Sequence, residues 1–323
     1  DHVLSDSCTA NDHVRFGIAP RISIITSSNS HLIMTPLPPL LVLVGPTAVG
    51  KTRTAIHLAN RLNGEIVSAD SRLFYRGMDI GTAKPSPQEL AQTPHHLIDI
   101  ADPDQSLSLV VFQEAAREAI SDIHTRQKLP ILVGGTGQYI HAVTGGWTPP
   151  PVEPNNKLRD VLSSLAAQHG HQRLHNKLRI LDPAAADSID SRNVRRTVRA
   201  LEVIFTSGIL FSAQKLRKPS PYFLVQVGLT LPRTELYQRI DARIEDMFEQ
   251  GLLLEVESLM SKGFSPSLPT LSAIGYRECV DVLEEKITVE EAKMKMRKAT
   301  RIYVRRQGNW FKENNPDIKW FSL

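Results

Sequence analysis

The chain has 323 residues, two cysteines and a formal net charge of +4. Cys8 and Cys279 stand too far apart for a disulfide framework or a CxxC zinc site. No run of about 18 apolar residues offers a membrane span.

The charge is unevenly spread. Residues 293–323 carry nine Lys or Arg against two acids, and residues 151–200 carry nine against five. Residues 201–292 carry nine against fourteen. Two basic zones on a near-neutral body suit a polyanion that touches particular faces.

Residues 1–37 are rich in Ser, Thr, Asn, Asp and His without periodicity, and read as a disordered leader or an extension upstream of Met34. Leu40–Val44 is a short apolar run ending in glycine, the pattern of a buried parallel strand. A helix is expected over residues 51–62, a strand over 65–69, an amphipathic helix over 109–126 and a strand over 130–133. Strands alternating with helices imply a doubly wound α/β sheet, whose ligands bind beyond the carboxyl ends of the strands. Gly45, Asp70 and Gly134–Thr136 all follow such ends. His95 and His96 lack a third ligand at metal spacing and read as structural.

The proline-rich stretch 148–154 marks a boundary. Residues 155–206 read as helical and basic, residues 225–229 as a return strand, and everything after Pro232 as helix. The organisation expected is a P-loop α/β core over 38–150 and 207–323, with C-terminal helices. A small all-helical insertion over 151–206 interrupts it.

Gly45-Pro46-Thr47-Ala48-Val49-Gly50-Lys51-Thr52 matches GxxxxGK[ST]. The glycines let backbone N–H groups surround phosphate oxygens, and the following helix presents its positive end. Lys51 neutralises a terminal phosphate, and the Thr52 hydroxyl can ligate Mg²⁺. The next apolar strand ends in Gly134-Gly135-Thr136-Gly137, where phosphoryl-transfer P-loop enzymes place a metal-binding aspartate. That absence argues against phosphoryl transfer.

These stretches, with EIVSADSRLFYRGMDIGTAKP (65–85), PHHLIDIADP (94–103), LPILVGGTGQY (129–139), RRTVRALEV (195–203), RIDARIEDMFEQGLLLEVESL (239–259), AIGYRE (273–278) and ATRIYVRRQGNW (299–310), resemble the tRNA dimethylallyltransferase (tRNA isopentenyltransferase) family in order and over about residues 40–310. The resemblance implies transfer of a dimethylallyl group from dimethylallyl diphosphate to N6 of the adenosine at tRNA position 37, beside the anticodon. It implies Asp70 as general base and Thr136 as a hydrogen-bond donor to the leaving diphosphate. Arg243 is the arginine preferred on that diphosphate, with Arg239 as the other choice; four-residue spacing puts both on one helix face.

It further implies that tRNA meets Asp70, Ser71, Arg72, Leu73 and Thr136 at the base, and Arg159, Arg195, Arg196, Arg301 and Arg305 along the anticodon stem-loop. Arg195-Arg196 stands where the family often has Gln-Arg, and Gln-Gly-Asn-Trp (307–310) replaces Gln-x-Thr-Trp. Trp310 reads as core. Mg²⁺ is the cofactor expected, and the setting a cytoplasmic monomer without membrane contact. Alternatives are an adenylate isopentenyltransferase acting on free AMP, ADP or ATP, a P-loop small-molecule kinase, and a non-enzymatic nucleic-acid-binding module. The basic insertion and basic C-terminal helix favour tRNA, because a mononucleotide needs neither.

Overall fold

The computed structural model describes residues 36–105, 107–145, 150, 152–214 and 219–323. The expectation of a leader over 1–37 therefore lies, but for its last two residues, outside the described residues.

Six parallel strands form one sheet: β1 (Pro39–Val44), β2 (Gly64–Ser68), β3 (His95–His96), β4 (Leu129–Gly134), β5 (Phe223–Thr230) and β6 (Ile318–Ser322), in the order β3-β2-β4-β1-β5-β6. β1 is central because it can be buried on both faces: Leu40, Val42, Leu43 and Val44 are fully enclosed. Each such side chain contributes about 1.5–3 kcal/mol through burial. The order reverses around β1 and β4, so the crevice beyond their carboxyl ends is the topological switch point.

α1 (Lys51–Leu62) follows β1, α2 (Pro87–Gln92) precedes β3, and α3 (Leu109–Thr125) and α4 (Gly137–Thr144) flank β4. α3 begins where the Ser108 side chain accepts from the Val111 N–H, and its apolar stripe Phe112, Ala116, Ile120 and Ile123 faces the sheet.

Four helices then pack on one another: α5 (Asn156–His169), α6 (His171–Leu181), α7 (Pro183–Ser188) and α8 (Val194–Ser207). Leu162, Leu174, Leu178, Val198, Leu201 and Val203 form their own core, separate from the cluster around the sheet. α9 (Arg233–Glu249), α10 (Leu252–Ser261), α11 (Tyr276–Leu283) and α12 (Val289–Gly308) complete the chain before β6.

The expectation that everything after Pro232 is helical is corrected by β6, which pairs along β5 from Gln226↔Ile318 to Thr230↔Ser322. Trp320 fits against Gly228, where a Cβ would come within 2.5 Å of its ring. Short and half-exposed, Ile-Lys-Trp-Phe-Ser lacks the continuous apolar run that marks the inner strands.

Among the described residues no helix is long and apolar enough to cross a membrane.

Candidate active site

The phosphate loop runs from β1 into α1. Gly50 sits at φ 107° and starts the helix, a conformation that L side chains rarely adopt. Gly45 is required for space, since a Cβ there would lie 2.7 Å from the Leu229 carbonyl oxygen of β5. Lys51 Nζ donates to the loop's own carbonyls, 3.0 Å from Gly45 O and 2.8 Å from Pro46 O. Burial lowers its pKa to about 8; the Asp70 carboxylate draws it back up and Arg243 lowers it further. Lys51 thus senses the charges of both Asp70 and Arg243.

Asp70 follows β2. Its Oδ1 accepts from the Arg72 N–H at 3.0 Å, closing a local turn that occupies one oxygen. The turn is anchored by Phe74, fully buried and stacked on Phe112 at 5.5 Å between centroids. Ser71 meets the Tyr139 hydroxyl of α4, and Arg72 reaches the Thr270 carbonyl at 3.5 Å.

Thr136 opens α4 without capping it, so its hydroxyl is not taken up by the first turn of the helix. It lies 3.3 Å from the Tyr303 hydroxyl of α12. One turn further along α12, Gln307 joins the phosphate loop to the Thr136 turn: its Oε1 accepts from the Thr47 N–H at 2.9 Å and its Nε2 donates to Gly135 O at 3.0 Å. A Cβ on Gly135 would collide with that amide, and one on Gly137 with the Trp310 ring. The strand end that holds a carboxylate in phosphoryl-transfer enzymes has no room here for a side chain: a Cβ on Gly134 would meet the Ala69 carbonyl oxygen, and one on Gly135 the Gln307 amide of α12.

From α9, Arg239 Nη1 lies 3.5 Å from Val49 O of the phosphate loop. Arg243, less exposed, has its pKa lowered first by burial, while the charges of Asp246 and Glu89 draw it back up. Arg239 thus touches the loop at its rim, and Arg243, one turn on along the same helix face, is near enough for its charge to act on Lys51.

The basic residues fall into two groups. Arg195 and Arg196 are exposed at the start of α8. Arg159 instead is tied down onto the helical bundle: Nε and Nη2 donate to fully buried Glu202 at 2.9 and 3.0 Å, where Arg199 and the Asn155 N–H also converge. Arg301 pairs with Asp241 at 2.6 Å and lies 4.9 Å over the Tyr237 ring. Together with Arg297, Lys298 and Arg305 it lines an open groove of about 430 Å³ between α9 and α12. Trp310, expected in the core, is 49% exposed and packs beside His141 at 5.7 Å, so that expectation is corrected. His96 Nε2 contacts buried Glu65 at 2.7 Å and His95 Nδ1 the Thr93 carbonyl at 2.8 Å, both structural.

Residues 73–314 match the IPP transferase family. The chain belongs to that family. Similar proteins include the tRNA dimethylallyltransferase of Roseiflexus sp. (strain RS-1), 52% identical over 274 residues that span 85% of this chain and 90% of that protein. That of Thermomicrobium roseum is 45% identical over 285 residues, 88% of this chain and 86% of its own. Among solved structures, the full-length tRNA isopentenylpyrophosphate transferase of Bacillus halodurans superposes with a TM-score of 0.65 at 44% identity, covering 88% of this chain and 89% of that one. A eukaryotic dimethylallyltransferase acting on tRNA gives 0.74 at 29% identity over 88% and 74%. The family shares the P-loop α/β fold seen here.

Sequence reasoning missed Tyr303 and Gln307. The signal was present: with Ala292 and Met296 they fall at helical spacing on one side of α12, with Arg301 and Arg305 on the opposite side.

Proposed function

We propose that this chain is a tRNA dimethylallyltransferase, which moves the dimethylallyl group of dimethylallyl diphosphate to N6 of the adenosine beside the anticodon, at position 37. The observation that supports this most is the convergence of Lys51, Asp70 and Arg243 at the switch point, with the phosphate loop and the Thr136 turn joined by Gln307.

The donor's diphosphate sits at the amino end of α1, against the backbone of residues 45–52, with Lys51, Arg239 and Arg243 around it. Thr136 donates to the diphosphate near its bridging oxygen. As the N6 lone pair forms the new C–N bond, the allylic C–O bond breaks and its electron pair leaves on the diphosphate. Charge grows there, so donors fixed in advance lower the barrier. The N6 proton passes to Asp70, an adequate base because N6 turns acidic only as the bond forms.

Mg²⁺ fits this site as a partner of the phosphates. Among the described residues no three His, Cys, Asp or Glu side chains gather to cage a cation. Thr52 opens α1 and offers one hydroxyl, the sparse protein ligation that suits Mg²⁺ when phosphates and water complete its shell. When bound, Mg²⁺ supplies positive charge to the diphosphate.

The adenosine is stacked in a free anticodon loop, so it enters extruded, with Ser71, Arg72 and Leu73 around the base beside Asp70. Arg195, Arg196, Arg301 and Arg305 face the stem-loop phosphates, and the helices of residues 151–206 act as a tRNA-contacting unit. The relatives described above are named for tRNA, which favours this reading over free adenylates or phosphoryl acceptors. The setting is the cytoplasm, and one chain supplies every group the reaction uses. The test is incubation with dimethylallyl diphosphate, Mg²⁺ and either unmodified tRNA or AMP, followed by nucleoside mass analysis. Dimethylallyladenosine from tRNA alone is the expected result; modified AMP, or ATP consumption stimulated by tRNA, would contradict it.

A further inference from the structure

Gln307 makes two contacts whose chemistry fixes its orientation. The Thr47 backbone N–H can only donate, so the atom facing it at 2.9 Å is the amide oxygen. The Gly135 carbonyl can only accept, so the atom facing it at 3.0 Å is the amide nitrogen. The amide therefore cannot flip, and its NH₂ is left with one further hydrogen. Tyr303 stands one turn back on the same side of α12, where its phenol feels that amide.

The phenol in turn lies 3.3 Å from Thr136 Oγ1. It is half-buried, and desolvation first and the Asp70 charge second hold its pKa up, so it keeps its proton. Either hydroxyl can donate across that contact, and a phenol oxygen that accepts from Gln307 leaves the phenolic hydrogen for Thr136. A threonine that accepts there keeps its own hydrogen for another partner.

We infer that Tyr303 and Gln307 are positioning residues for the transfer step: a one-way hydrogen-bond relay, from Gln307 Nε2 to Tyr303 Oη to Thr136 Oγ1, that aims the Thr136 hydrogen at the leaving diphosphate. The inference rests on the donor site proposed above. It explains why the two catalytic loops meet on one helix and why an amide, not a carboxylate, stands at 307. A carboxylate could only accept, and would turn the phenolic hydrogen away from Thr136.

A double-mutant cycle on the full chain tests the relay. Tyr303→Phe keeps the ring and removes one oxygen. In the wild-type background it should lower the single-turnover rate of tRNA prenylation about tenfold, the value of one aimed hydrogen bond to a developing charge. tRNA affinity should stay within about twofold. In the Thr136→Ala background the same substitution should change the rate by less than about twofold, because the group it acts through is gone. Titration with inorganic pyrophosphate reads the relay without requiring turnover: Tyr303→Phe should weaken it severalfold with Thr136 present and negligibly with Thr136→Ala. Equal losses in both backgrounds, by either readout, would overturn the relay. Failure of the wild type to prenylate tRNA, with the pyrophosphate cycle still coupled, would instead count against the proposed reaction and leave the relay standing.

Discussion

Arg159 grips Glu202 through two nitrogens, and Glu202 has no exposed surface. Burial pushes the Glu202 pKa up, but Arg159, Arg199 and the Asn155 N–H outweigh it and hold the carboxylate below its ordinary range. Arg159 thus joins the start of α5 to the middle of α8. Its resemblance to a tRNA-contacting position has a structural counterpart within the bundle.

Substituting it should reveal that role. Breaking a wholly buried pair costs roughly 3–5 kcal/mol; Arg159 is 36% exposed and Arg199 remains, so Arg159→Ala should cost about 1–2 kcal/mol in urea denaturation. Arg196→Ala, at an exposed position, should leave stability within about 0.5 kcal/mol and weaken tRNA binding, with a shallower salt dependence. Equal stability of the two variants would refute the separation.

The lowered pKa of Lys51 gives a pH dependence of definite sign. Below about 8 the amine is protonated in both folded and unfolded chains, and the empty folded protein bears the full cost of enclosing the charge. As pH rises from about 8 towards 10.5 the folded chain has released that proton and the unfolded chain has not, so the stability of the empty protein increases. Donor affinity moves the opposite way, because the neutral amine loses its attraction for diphosphate. Between pH 7 and 9, titration with dimethylallyl diphosphate should show affinity falling about tenfold, and Lys51→Arg should remove the slope.

Much of this site is legible in the sequence. The phosphate loop, Asp70 and Thr136 each follow a strand end, and parallel sheets gather strand ends by topology. Side chains brought in by α9 and α12 are harder to read. Their strand partners lie far away along the chain, and helix periodicity gives a face without saying what it meets. Spacing places Arg239 and Arg243 on one face, yet only packing shows both approaching the loop. β6 is hidden because an edge strand needs no continuous apolar run, and Trp310 because aromatic character does not distinguish core from a half-exposed lid over Gly137.

Two glycines of the Thr136 turn should respond differently to a methyl group. At Gly135 the methyl collides with Gln307, which is buried and tied on both sides, so Gly135→Ala should cost about 1–3 kcal/mol and weaken donor binding. At Gly137 it meets the Cβ and Cγ of Trp310, which stand next to the backbone and are not cleared by swinging the ring outward, so Gly137→Ala should cost more. Paired urea denaturation and donor titrations would check the ranking.

Glu255 of α10 holds the loop after the Asp70 turn. Its carboxylate accepts from the N–H groups of Asp79 at 2.9 Å, Ile80 at 2.8 Å and Gly81 at 3.2 Å, and from the Tyr276 hydroxyl at 2.6 Å. Glu255→Ala strands these donors, some of them partly buried, and should cost about 2–3 kcal/mol. Glu255→Gln, which keeps one acceptor oxygen, should recover part of that loss in thermal denaturation.

The most direct test of the proposed reaction is single-turnover prenylation by Asp70→Ala, with tRNA and donor affinities measured separately. A general base acts chiefly in the transition state, so the rate should fall by about 10² or more while both affinities stay within a few fold. A near-normal rate, or a loss of tRNA binding in proportion to the loss of rate, would contradict the assignment of Asp70 as the group that takes the N6 proton.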